Sequence, residues 1–222
     1  TVDQLLVFGN NGRVYSVPVA SRPGARGDGQ PITTLIELEA GTQPAHYFAG
    51  PEAALLLLSG SGGYGFLARV EHMVSRTRGG KAFISLGQGE QVCRPSVADP
   101  GVEQKQAPAQ AGQAPAAPVW IAATHVACAS VGGRILTFEI GELKLMEKGG
   151  RGLMLIDLED KDQLAGAAAY TRSIRLDGIG RGGKVRDETL EIRSLNNARA
   201  ARGRKGKAAD LGFKPNAVTR VE

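Results

Sequence analysis

Cysteine is nearly absent from this chain: two among 222 residues, Cys93 and Cys128, in no C-x-x-C pairing. That excludes a disulfide framework and a cysteine zinc site, and it fits a reducing compartment. Histidine is as scarce, and His46, His72 and His125 lie too far apart for the i, i+4 pairs of a helix-borne metal site. Aromatic residues make up only 5% of the chain. No apolar run approaches the roughly 18 residues of a membrane helix, since "AALLLLSG" (Ala53 to Gly60) is far shorter. No charged and apolar leader pattern opens the chain. It enters directly from Thr1 on the strand-like "QLLVF", so a piece of a longer polypeptide is expected.

Glycine, by contrast, is abundant at 31 residues, and 42% of the chain is hydrophobic. A real core is therefore available, and many short strands joined by tight turns suit this composition better than long helices. The net charge of +5 is uneven. Residues 1–98 hold 8 basic against 7 acidic side chains, residues 99–170 hold 6 against 9, and residues 171–222 hold 13 against 6. Such a basic terminal segment favours a polyanionic partner, with a merely solvated tail as the alternative.

Two glycine markers recur. The first is a turn followed by alternating residues: "NNGRVYSVPV", "GSGGYGFLARV", "SVGGRILTFEI" and a weaker "GRGGKVRDETLEI". Each reads as a hairpin, and aligning Gly12, Gly63, Gly133 and Gly183 gives spacings of 51, 70 and 50 residues. The second is a basic glycine turn: "GARGDGQPIT", "RTRGGKAFIS", "EKGGRGLMLI" and "AARGRKGKAADL". Both markers find the same long middle interval, which contains the Pro/Ala/Gln segment 100–118. That segment cannot build a core and is expected to be a disordered insertion. Removing it leaves four units of about 50 residues, the size of a propeller blade: 1–50, 51–99, 119–170 and 171–222.

Several motifs point elsewhere and are weak. "GIGRGGKV" (Gly178 to Val185) matches two phosphate-loop patterns, yet Val185 stands where a P-loop needs Ser or Thr for magnesium. "GSGGYG" matches the dinucleotide pattern, but both hits fall on the hairpin marker. "DLEDKD" (Asp157 to Asp162) gathers acids with no acid/base partner, so a solvated loop is expected. No catalytic, cofactor or metal residue is assigned.

At "RGDGQPI", "TRGGKAFISL", "KGGRGLMLIDL" and "RGRKGKAADL" the chain resembles the repeats of the C-terminal domain of the type II topoisomerase A subunits. The stretch from Val14 to Leu86 looks most like the topoisomerase IV branch. The gyrase branch carries a Q-R-R-G-G-K-G box, and this chain has Arg76-Thr77-Arg78-Gly79-Gly80-Lys81-Ala82 in its place. The resemblance implies an all-β fold, a β-pinwheel of strand-exchanging blades, here four and lacking the first. It implies a non-catalytic role, with ATP, Mg and the cleavage chemistry in other domains. The implied partners are double-stranded DNA, the rest of a homodimeric A subunit and the ATPase B subunit, in the cytoplasm at the nucleoid and not at a membrane. Phosphate contacts are expected from Arg22 and Arg26 in the first unit, and from Arg76, Arg78 and Lys81 in the second. Arg134, Lys148 and Arg151 serve the third. In the fourth they come from Arg181, Lys184, Arg199, Arg202, Arg204, Lys205 and Lys207. A gyrase-type wrapping domain and a protein-scaffolding propeller are the alternatives.

Overall fold

The computed structural model describes residues 3–19, 29–101 and 122–221. Most of the Pro/Ala/Gln segment, together with Arg22 and Arg26, lies outside the described residues. Within the described residues, fifteen strands and two single-turn α-helices are found, and the strands form four antiparallel sheets. The first sheet takes β1 (Asp3–Gly9), β2 (Arg13–Pro18), β3 (Pro44–Pro51) and β6 (Lys81–Ala82) in the order β3-β1-β2-β6. The second takes β4 (Leu55–Ser59), β5 (Tyr64–Arg69), β7 (Ser96–Asp99) and β10 (Leu153–Met154) in the order β10-β5-β4-β7. The third takes β8 (His125–Ser130), β9 (Arg134–Glu139), β11 (Leu164–Tyr170) and β14 (Lys207–Ala208) in the order β11-β8-β9-β14. The fourth has three strands, β12 (Ser173–Gly180), β13 (Val185–Glu191) and β15 (Phe213–Arg220), in the order β13-β12-β15. The helices α1 (Val70–Met73) and α2 (Ile192–Asn196) follow β5 and β13.

The four hairpin markers are hairpins: β1 pairs β2, β4 pairs β5, β8 pairs β9 and β12 pairs β13. Apolar layers join the sheets. Leu56 and Leu58 of β4 face Leu6, Phe8 and Val14 of the first sheet, while Leu57 between them faces Val126, Cys128 and Phe138 of the third. A strand sandwiched by neighbours on both sides loses its polar alternation, which is why "LLLL" is one strand and not a helix. Likewise Val126 and Cys128 of β8 face one way, and Ala127 and Ala129 face Ile174 and Leu176 of the fourth sheet. Alanine at those positions lets the two sheets approach closely. Both cysteines are buried and free, and burial pushes the Cys93 thiol up to about 11 and Cys128 higher still. Neither is a nucleophile at neutral pH.

The two ends of the stack are finished differently. Val7, Tyr15 and Val17 on the outer face of the first sheet are covered by Ile36, with Ile32, Leu35 and Leu38 beside it. On the fourth sheet the outward face is mixed, with Arg175, Asp177 and Asp187 beside the exposed Ile179 and Val185. Arg175 of β12 pairs with Asp177 at 2.8 Å and with Asp187 of β13 at 3.7 Å.

The second glycine marker turns out to be a donated strand. β6 pairs with β2 of the first sheet, β10 with β5 of the second and β14 with β9 of the third, each over two residues only. The last three boxes therefore each dock on the hairpin of the preceding unit, while the first, 24–33, lies half outside the described residues. Among the described residues the fourth hairpin receives none. The hairpin glycine is the receptor: the Gly12 carbonyl accepts from Ile84 N at 2.9 Å, Gly63 from Leu155 N at 2.7 Å and Gly133 from Ala209 N at 2.9 Å. Immediately after the donated pair come the anchors, Phe83 and Ile84 in one inter-sheet layer, Leu155 and Ile156 in the next. Phe83 is nearly fully buried and meets the Phe66 ring at 5.9 Å between centroids.

The box glycines are required by this docking. Gly80, Gly152 and Gly206 have φ of 58°, 81° and 70°, and a Cβ on each would lie 2.4, 2.3 and 2.5 Å from the carbonyl oxygens of Val14, Gly65 and Ile135. Those three carbonyls occupy the same place in successive hairpins. Gly152→Ala should therefore cost about 1–3 kcal/mol, from the left-handed backbone alone. Gly79→Ala, where a Cβ meets nothing within 4 Å, should stay within about 0.5 kcal/mol of wild type. Urea unfolding of the two variants checks the contrast, and equal losses would contradict it.

Candidate nucleic-acid interface

In each sheet the strand at one edge faces a common hub. A cavity of about 620 Å³ there is lined by Ala45 to Tyr47, Val92 to Arg94, Gln163 to Ala165, and Asn216 with Ala217. These residues lie on or beside β3, β7, β11 and β15. The opposite edges, carrying β6, β10, β14 and β13, form the outer rim. His46 at the hub sits 3.0 Å from the Val92 carbonyl, and burial holds its imidazole below the usual value. Among the described residues no group of three or more His, Cys, Asp or Glu side chains could hold a metal ion.

The rim is where the boxes place their cations, and the structure divides them into two sets. Arg76, Lys148, Arg181, Lys184, Arg204, Lys205 and Lys207 are exposed. None of the seven side chains makes an ion pair or hydrogen bond within the described residues. Lys81 is intermediate: its ammonium lies 5.8 Å from the Phe83 ring centre, and burial lowers its pKa.

The other candidates are engaged within the protein. Arg78 donates to the Thr34 carbonyl at 2.5 Å and lies 3.8 Å from Glu37. Arg199 pairs with Glu139. Arg202 donates to the carbonyls of Met154 at 2.6 Å and Glu142 at 3.2 Å. Arg134 donates to the Gly206 carbonyl at 3.3 Å and reaches Glu159 at 2.5 Å. Arg151 makes a two-pronged contact with Glu90, at 2.7 and 3.1 Å, while its guanidinium lies 4.3 Å from the Tyr64 ring centre.

Arg134 and Arg151 belong to one recurring plan. The residue after each of the first three hairpin glycines, Arg13, Tyr64 and Arg134, clasps the arriving box. Arg13, which sequence reasoning missed, donates to Gly79 at 3.0 and 3.1 Å and to Gly80 at 3.2 Å, and pairs with Glu39 at 3.0 Å. Arg134 does the same with Gly206 and Glu159. Tyr64 instead offers its ring to an arginine supplied by the box. Glu39, Glu90 and Glu159 complete the three clasps from nearly equal distances past their hairpin glycines. An alignment of acids as well as glycines would have found them. The "DLEDKD" loop thus has a structural use, since Asp162 also accepts from Gly132 N at 2.8 Å.

Glu90 is the most enclosed of these acids, with 18% of its side chain exposed. Burial pushes its pKa up, but the hydrogen bonds from Arg151 and Gly87 N–H and the Arg151 charge outweigh it, leaving the carboxyl below its usual value. The folded value is lower than the unfolded one. The clasp's contribution is therefore complete above about pH 4.3, the ordinary glutamate value, and is lost as pH falls through the lowered one. The difference in unfolding free energy between wild type and Glu90→Gln should accordingly shrink as pH falls from 5 to 3. A difference constant across that range would contradict the clasp.

Comparisons with known proteins bear on this geometry. The family model described as DNA gyrase C-terminal domain, beta-propeller, matches residues 3–21 and 124–170. The A subunit of DNA topoisomerase 4 from Neisseria gonorrhoeae is 36% identical over 203 residues, spanning 88% of this chain and 23% of that protein. The Escherichia coli K12 protein of the same name is 33% identical over 165 residues, spanning 74% of this chain and 19% of its own length. The chain thus spans about a quarter or less of the relatives it matches. Among solved structures, the E. coli ParC C-terminal domain superposes with a TM-score of 0.75 at 24% identity, covering 97% of this chain and 80% of that one. A DNA gyrase A C-terminal domain superposes with a TM-score of 0.66 at 17% identity, covering 96% and 63%. At these identities the superpositions establish the fold, a β-pinwheel.

Proposed function

The chain belongs to the C-terminal β-pinwheel domains of the topoisomerase IV A subunits, within the bacterial type II topoisomerases, and is related to the C-terminal domain of the gyrase A subunit. From that premise we propose that it grips duplex DNA on its outer rim. The observation that carries this reading is the set of exposed, unpaired cations on the box loops and the fourth hairpin, all at the edges away from the hub. Arginine and lysine on glycine-rich turns suit a phosphate backbone, because they need charge and reach and no base-edge geometry. Recognition is then largely independent of sequence. Bending a site of 20–30 bp around the rim costs on the order of 1–6 kcal/mol, which several phosphate contacts must offset.

In this reading the chain does no chemistry. Strand cleavage, ATP and Mg belong to the rest of the A subunit, working as a homodimer, and to the ATPase B subunit of the parent enzyme. The domain supports decatenation and relaxation during chromosome segregation, in the cytoplasm. Only seven of the candidate cations are exposed and unpaired among the described residues, and the 76–82 stretch departs from Q-R-R-G-G-K-G, which favours a shorter grip than the near-complete wrapping of the gyrase branch. The domain organisation we propose is one pinwheel of four units, 1–50, 51–99, 119–170 and 171–222, interrupted by the insertion at 100–118.

The unpaired cations are densest on the last box, at Arg204, Lys205 and Lys207, where the grip is expected to be strongest. Replacing these three by Ala should make the slope of log K against log salt shallower by up to about 2.7, at 0.9 per phosphate contact. Stability should change by no more than about 0.5 kcal/mol per site. Fluorescence anisotropy with a 30-bp duplex across a salt series checks this. No wild-type binding at low salt, or a slope unmoved in the triple variant, would overturn it.

A further inference from the structure

Arg151 sits on a basic box with both terminal nitrogens already bonded to a carboxylate. Glu90 takes both of its terminal nitrogens in parallel, at 2.7 and 3.1 Å, the same fork geometry a phosphate would use. The carboxylate is also held from its other side. Its second oxygen accepts from Gly87 N at 2.7 Å, and it fills the space beside Gly62 so closely that a Cβ there would lie 1.9 Å from Oε1. Arg151 in turn lies against Tyr64 from the ring side, yet 40% of its side chain remains exposed. The guanidinium is therefore at the rim surface, oriented and solvent-facing on one edge, with its hydrogen-bonding fork already occupied.

We infer that Glu90 masks Arg151 from DNA phosphate, an autoinhibitory contact that keeps one rim cation out of the DNA grip while using it to hold the donated strand β10. The inference rests on the rim reading above. Glu159 and Glu39 each take a single nitrogen of Arg134 and Arg13, whose other nitrogens go to box carbonyls, so these two arginines are engaged with looser carboxylates than Arg151 is. The rim's affinity is then set by which cations lack a built-in carboxylate, and not by the number of cations in the boxes. A phosphate diester and a carboxylate each carry one negative charge. DNA arriving at Arg151 would have to displace a competitor that is tethered, pre-oriented and already desolvated, and it loses that exchange.

The test is a mutant cycle on the whole 222-residue chain, read as the salt dependence of binding to a 30-bp duplex. Glu90→Gln keeps the shape and an acceptor for Gly87 N–H but removes the charge. It should bind more tightly than wild type, with a slope steeper by about 0.9, one added phosphate contact. Arg151→Gln leaves Glu90 as a bare carboxylate and should bind more weakly, while the double variant, with both charges gone, should return to the wild-type slope. A double variant with a slope shallower than wild type would show that Arg151 already contacts phosphate, and a Glu90→Gln slope equal to wild type would show that the freed arginine does not reach DNA. Either result overturns the masking alone. Failure of wild type to bind at low salt would overturn the rim reading and the masking with it. Thermal melts of each variant confirm folding, and if Glu90→Gln does not fold, the same cycle at Glu159 and Arg134 carries the test.

Discussion

Everything at the rim depends on one small contact: a two-residue strand from each of the last three units pairing with the hairpin of the unit before it. Two residues of ladder are too little to hold by themselves. The pairing persists because three local devices converge on it. A glycine in the left-handed region lets the backbone pass within van der Waals range of the neighbouring carbonyl. A pair of apolar residues immediately afterwards, Phe83 with Ile84 or Leu155 with Ile156, is driven into the inter-sheet layer. A clasp of Arg13, Arg134 or the Tyr64–Arg151 stack then closes over the outside. Burial supplies most of the energy, since burying a large side chain contributes roughly 1.5–3 kcal/mol. A partly exposed ion pair contributes about 1 kcal/mol or less, so the clasp chiefly sets geometry.

The same docking explains the distribution of charge. A donated strand must lie at the edge away from the hub, so the loop leading into it and the residues beside it are carried to the rim whatever they are. Cations there cost nothing in the core. Some are then drawn into holding the strand, because glycine carbonyls and nearby glutamates offer partners, and those that remain face solvent. The fourth hairpin, which receives no donated strand among the described residues, leaves Lys184 without a box to clasp, although it stands where Arg13 and Arg134 stand in their hairpins. The array is thus graded, with its available charge gathered on the last box and the last hairpin.

The sequence reached the architecture because glycine is demanded at the sharpest steric points of each unit, and steric demands leave a periodic trace. Gly12, Gly63 and Gly133, with Gly80, Gly152 and Gly206, marked both the hairpins and the boxes, and the resemblance they carried led to the right family. What the spacing concealed was their mutual contact. Two markers that share a period look like parts of one unit, whereas Gly80 belongs in space with Gly12 and Gly152 with Gly63. A linear period carries no information on which neighbour a strand joins.

Sequence by itself determined the all-β class, the four hairpins, the concentration of basic residues toward the C-terminal end and the glycine-led boxes, because turn sterics, apolar alternation and net charge are local properties. Tertiary structure alone decided which arginines are available. Arg76 and Arg78 are two residues apart in one box, and only Arg78 finds the Thr34 carbonyl and Glu37. Arg151 meets a carboxylate 61 residues away in the chain. A cation's freedom is fixed by what the fold brings within hydrogen-bond distance of it, and that distance is set by packing between units, which no single segment encodes.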